Sequence, residues 1–274
     1  MTVDDSDPIM PPLPSLADLG PDLLRINWFQ RVSTLLIPFA CVTLYVTFAS
    51  FRLWPLAVLT LMYLSFATYG SISHDLVHRT LGLPRRVNEL FLTTIELLAL
   101  RSGHAYRLAH LHHHARFPHD DDIEGAAAKM SFFRTLLEGM IFQPRMMFWA
   151  ATRHGRSHPI VLLEIGMVVC LIVACFVVIP YTPIFAVYAV LMIMGSWVIP
   201  LATSYLPHNP AGQTALSQTR LFRGKVASII AMEHLYHLEH HMYPRVPHHN
   251  WAKLARRLDP YFKKAGVHPI VLGF

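Results

Sequence analysis

The sequence predicts an all-α integral membrane protein, with four transmembrane helices and a cytoplasmic helical cap holding a histidine-rich metal site. Three observations carry this. Charged residues are only 15% of the chain and hydrophobic ones 53%, against about 25% charged in ordinary soluble domains. Long uncharged runs divide into four windows of membrane-spanning length. Eighteen histidines concentrate in a few short motifs. This composition excludes disorder, collagen and coiled coil, and it argues against a soluble enzyme. Cys41, Cys170 and Cys175 all sit in apolar runs, so neither a disulfide framework nor a CxxC metal knuckle is expected. The net charge of +6, in so hydrophobic a chain, points to phosphate headgroups rather than nucleic acid.

In chain order, residues 1–30 read as a flexible cytoplasmic segment, acidic and proline-rich through Asp4, Asp5, Asp7, Pro8, Pro11, Pro12 and Pro14. Residues 31–274 read as one catalytic domain. Val32 to Phe51 is uncharged over 20 residues and Leu53 to Ser73 over 21. Ile165 to Pro207 holds 43 uncharged residues, and Pro180-Tyr181-Thr182-Pro183 divides it into helices near 160–179 and 184–205. A bilayer core needs about 20 apolar helical residues, so each window fits one pass. The first window starts too far into the chain, and lacks the small-residue cleavage site, for a signal peptide. Residues 87–100 and 130–150 are apolar but interrupted by charge, and read as helices at or dipping into the interface. Residues 79–157 hold 11 Lys and Arg and residues 206–274 hold 9, while the short connections hold Arg52 alone. Positive loops stay inside, so both termini and the cap are expected on the cytoplasmic side of the cell membrane.

His74 and His78 form HxxxH at the cytoplasmic end of the second span. His110, His113 and His114 form HxxHH, and His237, His240 and His241 form a second one. Residues at i, i+3 and i+4 share one helix face. His208 stands where the fourth span leaves the bilayer, and the charge-based topology brings all nine to one side. Nine imidazoles exceed the three or four ligands of a zinc site and suit two metals at four or five each. Imidazole binds iron, copper, nickel and zinc. Iron is chosen because an O2-reactive centre at a lipid surface explains why so much of the chain is membrane. The cap thus holds a histidine-rich di-iron site. No catalytic residue is assigned beyond these metal ligands.

His234, three residues before His237, is left between ligand and hydrogen-bond donor to a ligand. His104, His154, His158 and His268 read as surface or interfacial histidines, and His112 points off the common face. His119, His248 and His249 are expected to support ligands or to be solvated. Asp75, Glu239 and the run Asp120–Asp122 are candidate partners for ligand N–H groups, the run being equally readable as a solvated turn. Arg85, Arg86, Arg220 and Arg223 are expected to touch lipid phosphate.

The segments HDLVH (74–78), HLHHH (110–114) and HLEHHMYPRVP (237–247) resemble the three histidine boxes of the membrane fatty-acid-desaturase-like superfamily, over residues 54 to 258. That superfamily has a further histidine at the end of the fourth span, which His208 matches. Where acyl-CoA desaturases carry Asn four residues before it, this chain has Ser204. TSYLPHNP (203–210) and YRLAHLHHH (106–114) are similar to the carotenoid ketolase and carotenoid hydroxylase branch, with Asn209 where that branch usually has Arg. The resemblance implies a monooxygenase with two Fe ions, O2 as co-substrate, a lipid substrate from the bilayer, and electrons from an external donor such as a ferredoxin. The carotenoid ring is the implied substrate. A fatty acyl desaturase is the alternative, and a non-catalytic membrane metal-binding protein a more distant one.

Overall fold

The computed structural model describes residues 11–153, 155, 157–196, 198–226 and 234–273. Four helical stretches are long and apolar enough to cross a membrane: Pro21–Ser50, Trp54–His78, His158–Val177 and Ile184–Tyr205. The first contains α1 (Trp28–Ser50), which begins on a reciprocal cap. Asn27 Oδ1 accepts from the Gln30 amide at 2.8 Å and Gln30 Oε1 accepts from the Asn27 amide at 3.0 Å. The second stretch is α2 (Trp54–Ala67), a wide π-type turn (Thr68–Ile72) and α3 (Ser73–His78). Between the second and third stretches lie α4 (Arg85–Leu98), α5 (Gly103–Arg116) and α6 (Phe132–Ala151). Helices α7 (His158–Val177) and α8 (Ile184–Gly195) flank the predicted proline break. A second wide turn, Leu201–Tyr205, ends the fourth stretch. The chain closes with α9 (His237–Met242) and α10 (Trp251–Lys264).

The outward face of α7 is a continuous apolar surface, with Leu162, Leu163, Val169, Val173 and Val177 all exposed, as lipid contact requires. Its one charge, Glu164, is fully buried. The carboxylate accepts from Thr93 Oγ1, from Ser102 Oγ at 2.7 Å and from the His104 amide at 2.9 Å, and pairs with His104 Nδ1 at 2.8 Å. His104 Nε2 in turn meets Glu89 at 3.0 Å, and Glu89 also binds Arg107 and Arg79. This network bolts α7 to α4 and α5.

His104 is therefore not a surface histidine. It is 7% exposed and bridges two carboxylates, because α7 carries Glu164 onto the start of α5. Replacing it by alanine removes one of the four hydrogen bonds to the buried Glu164 carboxylate and the link to Glu89, and a hydrogen bond to a charged group is worth about 1.5–3 kcal/mol. Thermal denaturation of His104→Ala against wild type in detergent checks this, and an unchanged midpoint contradicts it.

Two further expectations change. Residues 16–24 are not tail. They form the turns Leu16–Leu19 and Pro21–Leu24, and Leu19 and Leu23 pack with Trp251, Leu254, Leu258 and Phe262 of α10. Asp22 clamps this contact through Lys253 and through Arg257 at 2.8 Å. The apolar stripe of α10 recurs every three to four residues, and the Leu19–Leu23 pair covers it. Arg223 does not await lipid phosphate either: it pairs with Glu239 at 2.7 Å and with Asp259 at 2.6 Å. Arg220 donates to the Tyr205 and Leu206 carbonyls at 3.0 and 2.6 Å, while Arg85 and Arg86 are exposed.

Candidate metal centre

The two wide turns lie immediately upstream of His74 and near His208. A π-type turn adds one residue to a helical circuit and re-aims the side chains beyond it, and such turns are frequent at functional sites. The first is buttressed by Arg101, 1% exposed, which pairs with Glu96 at 2.8 Å and donates to Thr68 Oγ1. At the second, the Ser204 carbonyl accepts from His208 Nδ1 at 3.0 Å, and Ser204 Oγ accepts from the Ala128 amide at 3.1 Å.

The nine box histidines meet at one end of the helical bundle as two groups. His74, His78, His110, His114 and His240 form the first, and His113, His208, His237 and His241 the second. Within each group the ligand atoms lie within 4.8 Å of one another, and each group could hold a metal ion. In the first, Nε2 atoms approach at 2.9 Å (His74 and His240), 3.0 Å (His78 and His110) and 2.8 Å (His114 and His240). In the second they approach at 3.1 Å (His113 and His208), 3.3 Å (His208 and His237) and 3.0 Å (His237 and His241).

Each HxxHH box serves both groups. His110 and His114 share the first group while His113 turns to the second. His237 and His241 share the second while His240 turns to the first. At 3.6 residues per turn, i and i+4 are about 40° apart on a helix and i+3 lies about 60° to the other side. One turn of α5 and one of α9 can therefore each address two points.

Carboxylates set the tautomers of two of the rings. His110 Nδ1 lies 3.1 Å from both Glu124 oxygens, and His113 Nδ1 lies 2.7 Å from Asp122 Oδ2. A carboxylate or carbonyl takes the Nδ1 proton, which leaves the Nε2 lone pair facing the group's centre. Asp122 is itself held by the Gly125 amide at 3.0 Å, and a Cβ at Gly125 would collide with its carboxylate. Of the acidic run, Asp122 is buried, whereas Asp120 is 98% exposed and pairs with Lys129. Asp121 binds Arg116 at 3.2 Å. Asp75 supports His248, at 2.7 Å, rather than its neighbour His74. Glu124 is not singled out by the sequence; the signal for it is an acidic run that continues past Asp122 by two residues.

Burial, reinforced by neighbouring imidazoles, holds His114, His208, His237, His240 and His241 below the ordinary histidine range. Burial also pulls His113 down, but its bond to Asp122 outweighs this and leaves it above that range. Burial pushes Glu239 up to about 7 despite Arg223. Several Nε2 atoms crowd more than one other Nε2. A neutral ring offers one donor and one acceptor, so the rings cannot all satisfy one another. Buried His74, His237 and His240 also leave Nδ1 without a hydrogen-bond partner. Convergent imidazole nitrogens, five of them held unprotonated by burial, fit cations of the iron, copper or zinc kind.

Trp251 meets His74 in a T-shaped contact and His240 at a tilt, with ring centroids 5.2 and 5.0 Å away, and Phe117 covers His208 at 4.4 Å. A cavity of about 500 Å³ reaches both groups, touching His114 of one and His241 of the other. Leu13, Phe117, Leu216, Met242 and Tyr261 give it an apolar lining, with Gln218 and Thr219 as polar points.

His234 joins neither group. It is buried, stands 4.9 Å from His237 ring to ring, and packs over Gly70. His248 is buried on Asp75, and His249 meets Thr34 at 2.8 Å. His112 meets Asp121, His158 faces the Ala151 carbonyl at 3.0 Å, and His119 and His268 are exposed. His154 lies outside the described residues.

Residues 49–272 match the family described as Fatty acid desaturase. No individual curated protein matches the chain.

Proposed function

The chain belongs to the fatty acid desaturase family, and from that membership and the paired imidazole groups we propose an O2-dependent di-iron oxygenase that hydroxylates or ketolates a lipid C–H bond, most simply on a carotenoid ring. Family membership makes the protein a membrane oxidoreductase. The observation that carries the di-iron reading is the division of the nine box histidines, five and four, with no other described residue in either group.

Two reduced iron ions held there would supply O2 activation and hydrogen abstraction from an unactivated C–H bond. The chain's own part is to hold and insulate. His74, His78, His110, His114 and His240 hold one metal, and His113, His208, His237 and His241 the other. Glu124, Asp122 and the Ser204 carbonyl fix three of these rings. Trp251 shields His74 and His240, Phe117 shields His208, and the cavity beside His114 and His241 receives the reacting end of the lipid. The basic residues of segments 79–157 and 206–274 support a cytoplasmic cap, where an external one-electron donor such as an acidic ferredoxin would dock by charge complementarity.

The segments TSYLPHNP and YRLAHLHHH support the carotenoid as substrate. The test is product mass in a host that makes β-carotene. Insertion of one oxygen adds about 16 mass units, and oxidation of a methylene to a ketone about 14, by elemental change. The family description favours a second reading, removal of two neighbouring hydrogens from an acyl chain. Its signature is fatty acids lighter by about 2 units with the carotenoids unchanged, and that result overturns the carotenoid assignment.

The lowered histidines give the metal-free protein an acid-labile fold. Their folded values lie below the unfolded value of about 6.5. Once pH falls beneath that value the unfolded chain takes up protons that the folded chain refuses, and stability drops. A bound metal is lost in the same direction, because it needs the unprotonated nitrogen. Thermal unfolding with chelator at about pH 7.5 and about pH 5.5, on either side of that value, should give the lower midpoint at the lower pH. Equal midpoints contradict the neutral, buried imidazoles.

A further inference from the structure

Among the described residues, five tyrosine hydroxyls donate a hydrogen bond. Those of Tyr45, Tyr106, Tyr188 and Tyr243 go to backbone carbonyls. Tyr69 alone gives its proton to a carboxylate, Glu124 Oε1, at 2.9 Å. That carboxylate is the one that meets His110 Nδ1 at 3.1 Å. A phenol in the core of the second span is therefore two hydrogen bonds from a histidine of the first group.

Its surroundings seal it. Tyr69 is 1% exposed. Its ring stacks on Tyr106 with centroids 4.2 Å apart, meets Phe142 edge-on at 5.9 Å, and its oxygen lies 3.9 Å from Met146 Sδ. The Arg101 guanidinium sits 5.5 Å from the ring centroid. A neighbouring cation opposes positive charge on the ring. Tyr69 can therefore give up an electron only if its proton leaves too, and Glu124 is placed to take that proton. None of the other four hydroxyls has such an acceptor.

We infer that Tyr69 is a one-electron donor to the metal centre, used when O2 has been activated but no lipid occupies the cavity. This rests on the oxygenase function proposed for the site. The Tyr69 O–H bond breaks, the proton passes to Glu124, and the electron passes through the Glu124–His110 contact to the oxygen-activated centre, leaving a neutral phenoxyl radical. One electron from the external donor, with the proton returned by Glu124, restores the tyrosine. Each turn removes one oxidising equivalent, so a second turn, after the external donor has restored the tyrosine, returns the centre to rest before it attacks its own histidines.

The test uses the full-length, iron-loaded protein in detergent. It is reduced with dithionite, freed of excess reductant under an inert atmosphere, mixed with O2 without lipid, and frozen within seconds for electron paramagnetic resonance. Wild type should show an organic radical that narrows when the protein is made with ring-deuterated tyrosine. Tyr69→Phe keeps the stacking and should keep the iron content, yet lose the signal completely and lose iron sooner over repeated cycles. Tyr106→Phe, whose hydroxyl meets only the Tyr69 carbonyl, should keep the signal. Oxygen uptake with no radical in wild type, or a radical that survives in Tyr69→Phe, overturns the inference alone. Absence of oxygen uptake overturns the oxygenase reading and this inference with it.

Discussion

Alanine at His114 or His240 should remove one metal ion and leave the other, and alanine at His208 or His237 should remove the opposite one. The reason is the division into groups. His114 and His240 face each other at 2.8 Å in the first, and His208 and His237 at 3.3 Å in the second. Iron content should fall from about two per chain towards about one, because each substitution opens a position in one group and leaves every histidine of the other in place. Activity should fall by at least about 100-fold, the upper end of what loss of a ligand's supporting partner alone costs. Elemental analysis and Mössbauer spectra of the reconstituted variants read both effects, and two distinct sites should disappear in turn. The sharpest case is the adjacent pair His113 and His114, which differ by one position in sequence and belong to different groups. If alanine at either abolished the same site, the two-centre division would be wrong. His234→Ala should keep both ions, because His234 belongs to neither group.

The four spans were legible because hydropathy over some twenty residues is a local property, and Pro180 and Pro183 marked the break between the last two. The nine histidines were legible for a similar reason: i, i+3 and i+4 spacing defines a helix face without knowledge of its neighbours. Spacing cannot supply which face meets which. The crossing of His113 and His240 to the other box's group depends on how α5 and α9 are rotated against each other. The re-aiming of His74 and His208 by wide turns has no signature in composition. His104 looked like a surface residue because its partner Glu164 is 60 positions away. Asp75 looked like a partner for His74 because they are adjacent, but His248, 173 positions on, takes the carboxylate. Polar residues near a membrane boundary have too many candidate partners for sequence distance to choose between them, and burial makes the choice.

Neutralising the two buried carboxylates should be the next largest effect, and it should separate by group. Glu124 accepts at His110 Nδ1 and Asp122 at His113 Nδ1, so Glu124→Gln weakens the first metal and Asp122→Asn the second. Each amide keeps nearly the shape of the acid but loses its charge. It can also present an N–H to the ring, which would turn the proton to Nε2 and block the lone pair the metal needs. The expected loss is about 10–100-fold in metal affinity, measured by chelator competition on each variant. Asp120→Asn is the control: its carboxylate stands in solvent on Lys129, an exposed pair worth about 0–1 kcal/mol, and metal affinity should not move. The comparison separates a tautomer-setting role from general acidity near the cap. If all three variants lost affinity equally, the acidic run would be acting as a diffuse negative field. If only the two buried carboxylates matter, each on its own ion, the hydrogen bond to Nδ1 is what readies His110 and His113.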